Sequence, residues 1–384
     1  MGQNNINKIV IILLCVFFVT ACGSTTQDPS QPKEDKKQDT VVSFVGVGDN
    51  LIHETVYEDA QKEDGSYDFT KMYADVKKLV KKADIAFINQ ETVLGGSELG
   101  LSGYPTFNSP TEIAKNLEDT GFNLVNLATN HCLDKYETGI VNELAAFSKT
   151  KIVTNGVYTS QDEYDRIPTF QKKGITFSFL AYTYGTNGIE PTNPYNVSYF
   201  SDDKIQRDVA KAKEISDVVI VSAHWGDENT FMPNDYQLHY AQLFADLGVD
   251  VVIGTHPHTI QPIEWLEGKE GNQTLVVYSL GNFIGGMLTT DNAISGMVGF
   301  DFVKNAETKQ IQVKNVVWTP LIIHFEGNQN NILEERYHYQ VYQLKNYTDE
   351  LANRHVLNGF EGNIVSLDYI QSKTEEVINE AFLK

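Results

Sequence analysis

The chain has 384 residues, with 51 acidic against 30 basic side chains and a formal net charge of −21. This acidity argues against nucleic acid and anionic lipid as partners of the general surface, because no basic excess is present to bind phosphate groups. Only Cys132 lies beyond residue 22 among the three cysteines, so the globular part has no intramolecular disulfide and depends on an apolar core.

The first residues are expected to be a targeting segment. Lys8 is the only charge before the apolar run 9–21, which is too short to span a bilayer as a helix. The run ends in Val19-Thr20-Ala21-Cys22, which resembles a bacterial lipoprotein box. We therefore expect residues 1–21 to be a signal peptide and Cys22 to become the lipid-modified first residue. An ordinary secretory signal and an uncleaved anchor are the alternatives.

Residues 22–40 are predicted to be a flexible, lipid-anchored tether. From Gly23 to Thr40 the chain has no aliphatic side chain, so it cannot bury enough apolar surface to order itself. Removing residues 1–21 removes one Lys and no acid, which leaves 29 basic and 51 acidic residues and a charge of −22. The folded part is then expected on the extracellular face of the cell membrane.

From residue 41 to about residue 253 strand-like and helical patterns alternate, which implies sheets covered by helices. After residue 258, β-branched runs without intervening helices predict a second, largely antiparallel sheet, and residues 365–383 predict a closing helix. We predict an α/β fold, a two-sheet sandwich with outer helices, over residues 41–325 and a C-terminal extension over 326–384. The predicted strands are 41–48, 85–90, 123–129, near 152 and 167, 175–182, 218–223, 251–254, 274–278, 296–303 and 310–318; the helices are 70–82, 110–120, 137–149, 202–216 and 234–247.

Five of the predicted strands end in residue types that bind metals. In an open α/β sheet, ligands bind beyond the carboxyl ends of the strands, so these endings are expected to converge. A metal centre is the economical explanation, although each acid could instead cap a helix or turn. The endings are Asp49, Glu91, Asn130-His131, His224 and His256-Pro257-His258.

The segment His256-Pro257-His258 presents two imidazoles from one short stretch of chain. Pro257 is expected to restrain His256 toward an extended conformation, and an irregular turn at the strand end is the alternative. Either way both rings can reach one site or two neighbouring ions. A pair of buried polar histidines without metal is the non-functional interpretation.

Other polar residues near these endings are candidates for supporting roles. Asp134 lies three residues after His131 and could accept its other imidazole proton, or cap the following helix. His53 lies four residues after Asp49 and could reach the same centre. Trp225 and Glu228, which follow His224, are expected to shape the wall of the pocket.

Together these segments resemble the bacterial capsule-synthesis CapA family, the poly-γ-glutamate biosynthesis proteins, within the calcineurin-like metallophosphatase superfamily. The resemblance runs from about residue 41 to 283. It is carried by Gly48-Asp49, Asn89-Gln90-Glu91, Leu127-Ala128-Thr129-Asn130-His131, Cys132-Leu133-Asp134, His224-Trp225-Gly226-Asp227-Glu228, Gly254-Thr255-His256-Pro257-His258 with Gln261, and Ser279-Leu280-Gly281-Asn282-Phe283.

The resemblance implies a metallophosphatase-like four-layer αββα sandwich of two mixed β-sheets flanked by helices, with two divalent metal ions. It implies that Asp49 and His258 hold one ion and that Glu91 bridges to the second. It further implies Asn130, His224 and His256 at the second ion, His131 as the acid positioned by Asp134, and Gln261 and Asn282 with Trp225 and Glu228 in the substrate pocket.

Three positions depart from the pattern that the resemblance implies. Leu51 stands where the superfamily has a histidine, so His53 is the candidate for the remaining ligand of the first ion. Glu91 replaces the usual bridging aspartate, and Tyr136 stands where the family often has glycine. The mixed nitrogen and oxygen donors favour Mn, Fe or Zn over a thiolate-bound soft metal.

The first functional hypothesis is a lipid-anchored extracellular metalloenzyme, a hydrolase or transferase, that acts on poly-γ-glutamate or another capsule-like anionic polymer during its biosynthesis, export, attachment or release. Its acidic surface would repel such a polymer, which favours engagement of a chain end at the metals. A non-enzymatic scaffold that contacts membrane polymer-synthase subunits and a metallophosphoesterase are the alternatives.

Overall fold

The computed structural model describes residues 38–383. The predicted signal peptide, the lipidation site Cys22 and most of the predicted tether lie outside the described residues. Thr40, the last residue assigned to the tether, already begins the first strand. Within residues 38–383 no helix has the length and apolar character needed to cross a membrane.

The helices and strands alternate in the first two thirds of the described chain, and strands dominate the last third. The strands are β1 (Thr40–Asn50), β2 (Ile85–Gln90), β3 (Leu124–Asn126), β4 (Val153–Asn155), β5 (Thr169–Lys172), β6 (Ile175–Thr183), β7 (Val218–His224), β8 (Val251–Thr255), β9 (Ile260–Glu267), β10 (Gln273–Leu280), β11 (Asn282–Ile284), β12 (Ile294–Lys304), β13 (Ile311–Gly327) and β14 (Arg336–Gln343). The α-helices are α1 (Glu54–Ala60), α2 (Lys77–Lys82), α3 (Glu112–Thr120), α4 (Tyr136–Phe147), α5 (Gln161–Tyr164), α6 (Asp202–Ile215), α7 (Asp235–Asp246), α8 (Thr290–Ala293), α9 (Asp349–Arg354) and α10 (Leu367–Val377).

The strands form two mixed sheets. The first has the order β14-β13-β12-β1-β2-β3-β4, with β11 beside β1, and its parallel half runs from β1 to β4. The second has the order β5-β6-β7-β8-β10-β9, parallel from β6 to β10 with antiparallel strands at both edges. The prediction of two mixed sheets flanked by helices is confirmed.

The main apolar core lies between the two sheets. Phe177 of the second sheet packs edge-on against Phe302 of the first, with ring centroids 5.1 Å apart. A second apolar cluster lies where α6 and α7 cover the outer face of the second sheet and contribute Val209 and Phe244. Because both faces of this sheet are covered, β7 is buried along its whole length, which explains its continuous apolar sequence.

The assignment of strands to sheets differs from the prediction. The strands after residue 258 do not form a sheet of their own: β9 and β10 extend the second sheet, while β12 pairs antiparallel with β1 and extends the first. The boundary expected at residue 326 falls inside β13, and β14 continues the same sheet. Pairing partners so distant along the chain leave no trace in local sequence periodicity.

Two helices are shorter than predicted. The helix expected over residues 70–82 is confined to α2, because residues 70–76 form turns. The closing helix expected over residues 365–383 is α10, which begins at Leu367 after Ser366 caps it by accepting a hydrogen bond from the Tyr369 backbone N–H.

Candidate metal centre

The polar strand endings meet between the two sheets, at the carboxyl edge of their parallel strands. Asp49 at the end of β1 and Glu91 directly after β2 come from the first sheet. His224 at the end of β7 and the His256 and His258 imidazoles after β8 come from the second. All five side chains are buried. The convergence expected from the strand order is therefore present in the fold.

Glu91 belongs to two overlapping groups of potential ligands. One oxygen or nitrogen from each of Asp49, Glu91 and His258 lies within 4.8 Å of the others, and the same holds for Glu91, His224 and His256. Asn130 joins the second group, because its Oδ1 lies 2.9 Å from His224 Nε2. The arrangement is compatible with divalent metal binding.

The hydrogen-bonding state of these side chains tests whether a cation fits. Both carboxylate oxygens of Glu91 and the Nδ1 of His256 are buried without any hydrogen-bond partner. Burial, opposed by His258 and reinforced by Asp49, raises the Glu91 pKa well above its usual value. The His258 Nε2 lies 3.5 Å from Glu91 Oε1, but a buried carboxylate without hydrogen bonds still has a free-energy cost, which a coordinated cation offsets. The donor set therefore fits a divalent ion.

The three imidazoles differ in charge. Burial, with a smaller contribution from neighbouring imidazoles, lowers the pKa of His224 and of His256 well below its usual value, so both are neutral and offer lone pairs. Burial also opposes the charge on His258, but Glu91 and Asp49 outweigh it and raise its pKa to about 10. In the absence of a cation, His258 is the counter-charge of the two carboxylates.

A surrounding layer of amides and hydroxyls orients these groups. Thr255 Oγ1 lies 3.0 Å from His224 Nδ1, so it can accept that proton and leave Nε2 free for a cation. Asn89 Nδ2 donates to Asp49 Oδ1 at 2.7 Å. Asn282 Oδ1 lies 2.9 Å from His258 Nδ1, and its Nδ2 donates to the Asn292 carbonyl. Asn282, predicted in the substrate pocket, therefore positions His258.

His131 and Asp134 form the pair that their spacing predicts. Their Nδ1 and Oδ2 atoms lie 2.7 Å apart, and the same Oδ2 accepts the Phe107 backbone N–H at 2.7 Å. The Phe107 ring packs edge-on against the imidazole at 4.7 Å. Asp134 is thereby fixed from two sides and holds the imidazole with Nε2 available for proton transfer.

The His256-Pro257-His258 segment is an irregular turn and not an extended strand. His256 has φ +97° and His258 has φ +59°, both in the left-handed region that side chains other than glycine rarely adopt. The expectation that Pro257 keeps His256 extended is wrong, and the alternative of a turn is confirmed. The backbone N–H of His256 points to the Asp49 carboxylate at 3.3 Å, which helps to compensate the strain.

Three predicted site residues lie elsewhere. His53 is in neither ligand group around Glu91; its Nδ1 accepts the Gly286 N–H at 3.0 Å. Trp225 packs in the outer apolar cluster, and its Nε1 donates to the Tyr278 carbonyl at 3.0 Å, so it does not line the pocket. Gln261 is buried and donates to the Thr230 carbonyl, which fixes the loop after β7.

The mouth of the centre includes two residues that the sequence reasoning missed. Tyr184 follows β6, is 40% exposed and packs on His256 with ring centroids 4.6 Å apart. Asn187 accepts a hydrogen bond from Asn130 Nδ2 at 3.3 Å. Exposed Glu228, predicted at the pocket wall, forms a third potential ligand group with His256 and His258. Tyr184 directly follows a strand of the same parallel set, a signal that could have been used.

Two further residues lie beside the centre. Cys132 is buried, and burial raises its thiol pKa, which disfavours the reactive thiolate. Tyr136 has φ +52°, a conformation that glycine adopts without strain. The Tyr136 side chain is exposed. The backbone at position 136 therefore favours glycine, the residue that the resemblance implies there.

The fold and the cluster together define a class: a two-sheet α/β sandwich with a buried His/Asp/Glu site, compatible with divalent metal, at the carboxyl edge of its parallel strands. Within this class the chain belongs to the bacterial capsule synthesis protein family PGA_cap, which its residues 43–287 match.

Two relatives and two solved structures illustrate the similarity. The PGA biosynthesis protein CapA of Bacillus subtilis (strain 168) is 27% identical over 332 residues, 83% of this chain and 81% of that protein. The capsule biosynthesis protein CapA of Bacillus anthracis is 27% identical over 192 residues, 48% and 46% of the two chains. A phosphatase from Mycoplasma pneumoniae is 13% identical with a TM-score of 0.48 and covers 74% of this chain and 95% of its own. A hypothetical protein from Thermus thermophilus is 15% identical with a TM-score of 0.45 and covers 73% and 98%.

Proposed function

We propose that this protein is a lipid-anchored, extracellular, CapA-like protein that acts on poly-γ-glutamate or a related anionic capsule or cell-envelope polymer through a centre of two divalent ions. Family membership supports a role in capsule biosynthesis. The relatives' printed functions, PGA biosynthesis and capsule biosynthesis, support the polymer class. The step would be synthesis, export, attachment or release of the polymer.

The observation that carries the two-ion proposal is the environment of Glu91. Both of its oxygens are buried without a hydrogen bond, and the side chain is shared by two ligand groups. Asp49 and His258 would hold one ion, His224, His256 and Asn130 the other, and Glu91 both. When bound, such ions polarise an acyl or phosphoryl oxygen and activate a nucleophile at neutral pH.

The remaining chemistry falls to the chain's own residues. Asp134 accepts the Nδ1 proton of His131, which leaves Nε2 to give a proton to, or take one from, the atom at the reacting bond. The phenol of Tyr184 covers the His256 imidazole at the mouth and restricts solvent access on that side. The same buried surroundings strengthen every electrostatic interaction with a bound substrate.

The acidic surface favours a specific mode of engagement. A mature chain with 51 acidic and 29 basic residues repels a polyanion along most of its length. Bound divalent ions would be the largest local positive charges, so we propose that a chain end of the polymer enters the site. Subunits of a membrane polymer synthase are the proposed protein partners.

The proposed location depends on the N-terminal sequence alone. Val19-Thr20-Ala21-Cys22 supports lipid modification at Cys22, and the polar stretch after it supports a tether. Membrane fractionation of cells that express Cys22→Ala checks this: the precursor is expected to accumulate without lipid. Unchanged processing and lipid labelling of the variant would contradict the anchor.

Polymer yield in producing cells tests the function. His256→Gln combined with His258→Gln is expected to abolish metal content, measured by mass spectrometry, and to lower polymer yield by at least about ten-fold, an estimate for a metal-dependent step. His239→Gln is the matched control, because His239 is exposed on α7. Full polymer yield without bound metal would instead favour a scaffold. Metal-dependent turnover of simple aryl phosphates would favour a phosphoesterase.

A further inference from the structure

Arg336, at the start of β14, is a buried arginine without an acidic partner. It is 8% exposed, and its Nη1 donates to the Gly286 carbonyl. Its Nε is buried without any hydrogen-bond partner. Within residues 38–383 no carboxylate lies at ion-pair distance from the guanidinium. The Glu58 carboxylate is farther away: burial raises its pKa, and the Arg336 charge opposes that rise.

Gly286 places this guanidinium beside His53. A Cβ at Gly286 would lie 2.9 Å from Arg336 Nη1 and 3.0 Å from His53 Cβ, so a larger residue there would force these side chains to shift. His53 Nδ1 lies 3.0 Å from the Gly286 nitrogen and 3.2 Å from the Leu51 carbonyl oxygen; in the tautomer that accepts the Gly286 N–H, the ring carries its proton on Nε2. The result is two adjacent donor side chains beside which only backbone carbonyls act as acceptors, and neither carbonyl reaches the Arg336 Nε.

This pair lies next to the metal centre. Gly286 follows β11, which begins with Asn282, the residue that contacts His258. Phe107 lies between His53 and His131. Its ring packs edge-on against the His53 ring at 5.2 Å and against the His131 ring at 4.7 Å. Arg336 and His53 are therefore neighbours of the Asp49 and His258 half of the site.

A buried, unpaired guanidinium costs several kcal/mol unless an anion accompanies it. Asp49 and Glu91 are not the anions that neutralise Arg336, because both belong to the groups of potential metal ligands. Arginine binds carboxylate and phosphate oxygens through two parallel N–H groups, and this geometry suits an anionic ligand that enters from the site.

We propose that Arg336, together with the Nε2–H of His53, forms an oxyanion subsite beside the metal centre. It would take a carboxylate of a γ-linked glutamate chain or a phosphoryl group, which share this chemistry. The proposal rests on the proposed function, because the ligand is part of the same substrate. Arg336 lies outside the family match of residues 43–287, so the subsite would be a contribution of the C-terminal strands.

A purely structural role is the competing explanation. Arg336 holds the Gly286 carbonyl, and its guanidinium lies 5.8 Å from the centre of the Phe325 ring. Removing a structural arginine lowers stability but leaves anion affinity unchanged in the protein that remains folded. Binding affinity therefore separates the two roles.

The experiment is calorimetric titration of the full chain with two probes, a γ-linked glutamate tetramer and inorganic phosphate. Arg336→Gln is expected to weaken binding of at least one probe by about 10- to 100-fold, the loss of a charge-assisted hydrogen bond. Arg336→Lys keeps the charge and loses the fork, so an intermediate affinity is expected. Arg354→Gln is the control, because Arg354 is half-exposed on α9 and its substitution changes the net charge by the same amount.

Each outcome decides the matter. Weaker binding of the tetramer alone assigns a carboxylate to the subsite, and weaker binding of phosphate alone assigns a phosphoryl group. Wild-type affinity of folded Arg336→Gln for both probes overturns the proposal, as does a wild-type chain that binds neither. If Arg336→Gln does not fold, wild-type affinity of Arg336→Lys for both probes overturns it. If the metal-ligand variants lose polymer yield while Arg336→Gln binds both anions with wild-type affinity, the proposed function stands and the subsite is rejected.

Discussion

Replacing Glu91 with glutamine probes the metal centre most directly. The amide has nearly the same shape as the carboxylate but lacks the charge that both ligand groups share. Neither Glu91 oxygen has a hydrogen bond within the protein, so the substitution removes only the ion pair with His258, whose Nε2 lies 3.5 Å from Glu91 Oε1. Glu91→Gln is therefore expected to weaken both ions at once, whereas a change at His224 affects one.

The magnitude follows from linkage between binding and folding. A metal present at one hundred times its dissociation constant stabilises the folded state by about 2.7 kcal/mol. The described part has about 350 residues, and about 2.1 cal/mol/K per residue gives an unfolding entropy of about 0.7 kcal/mol/K. Each ion then raises the melting temperature by about 4 °C, and two ions raise it by about 7 °C.

The assay is thermal unfolding of wild type and Glu91→Gln with a chelator and with Mn, Fe or Zn, beside metal content per chain. Wild type is expected to gain about 7 °C and the variant close to none. Glu98→Gln serves as the control, because Glu98 is an exposed carboxylate outside the cluster. A full metal-dependent shift and two ions per chain in Glu91→Gln would refute the reasoning that Glu91 is the shared ligand.

Three further substitutions test other parts of the structure. Asp134→Asn is expected to leave metal content unchanged and to lower polymer yield by about 10²-fold, because His131 loses the acceptor that sets its tautomer. Glu143 is buried, and burial raises its pKa to about 8. Its contribution to the free energy of unfolding is therefore fully present below the unfolded pKa of about 4.5 and is lost as the pH rises to about 8. In urea unfolding, Glu143→Gln should flatten this decline of stability with pH by up to about 1.4 kcal/mol per pH unit. Gly254→Ala should destabilise by about 1–3 kcal/mol, measured in the same way, since its Cβ would lie 2.0 Å from the Tyr278 carbonyl oxygen.

Contrary results would be informative at each position. Loss of metal from Asp134→Asn would mean that this pair supports the ligands and not proton transfer. An unchanged pH profile in Glu143→Gln would contradict a neutral buried carboxyl. Wild-type stability of Gly254→Ala in urea unfolding would mean that β8 and β10 can move apart locally to accept the added methyl group.

The convergence of the polar strand endings was easier to predict than the membership of each strand in its sheet. Metal-binding residue types at strand ends are local signals, and the parallel order of strands brings their carboxyl ends together whichever sheet holds them. Which sheet holds them depends on pairing between distant segments, such as β1 with β12, and local periodicity contains no information about it. For that reason Asp49 and His224 converge although β1 and β7 belong to different sheets.

The misplaced residues have separate physical reasons. Trp225 directly follows His224, and neighbouring positions of a strand face opposite sides, so the imidazole and the indole could not both line one pocket. His53 was selected by helical spacing from Asp49, but α1 begins only at Glu54. Arg336 comes from a strand about 50 residues beyond its partner Gly286, and no motif near it signals a site.

Strand β1 has a consequence for how rigidly Asp49 is held. The chain enters the described fold at Thr40, and Asp49 lies at the opposite end of the same strand. Nine residues at about 3.3 Å each separate the two points by about 30 Å. Because β1 pairs with β12 on one side and with β2 on the other, the core holds Asp49 in place along this whole length.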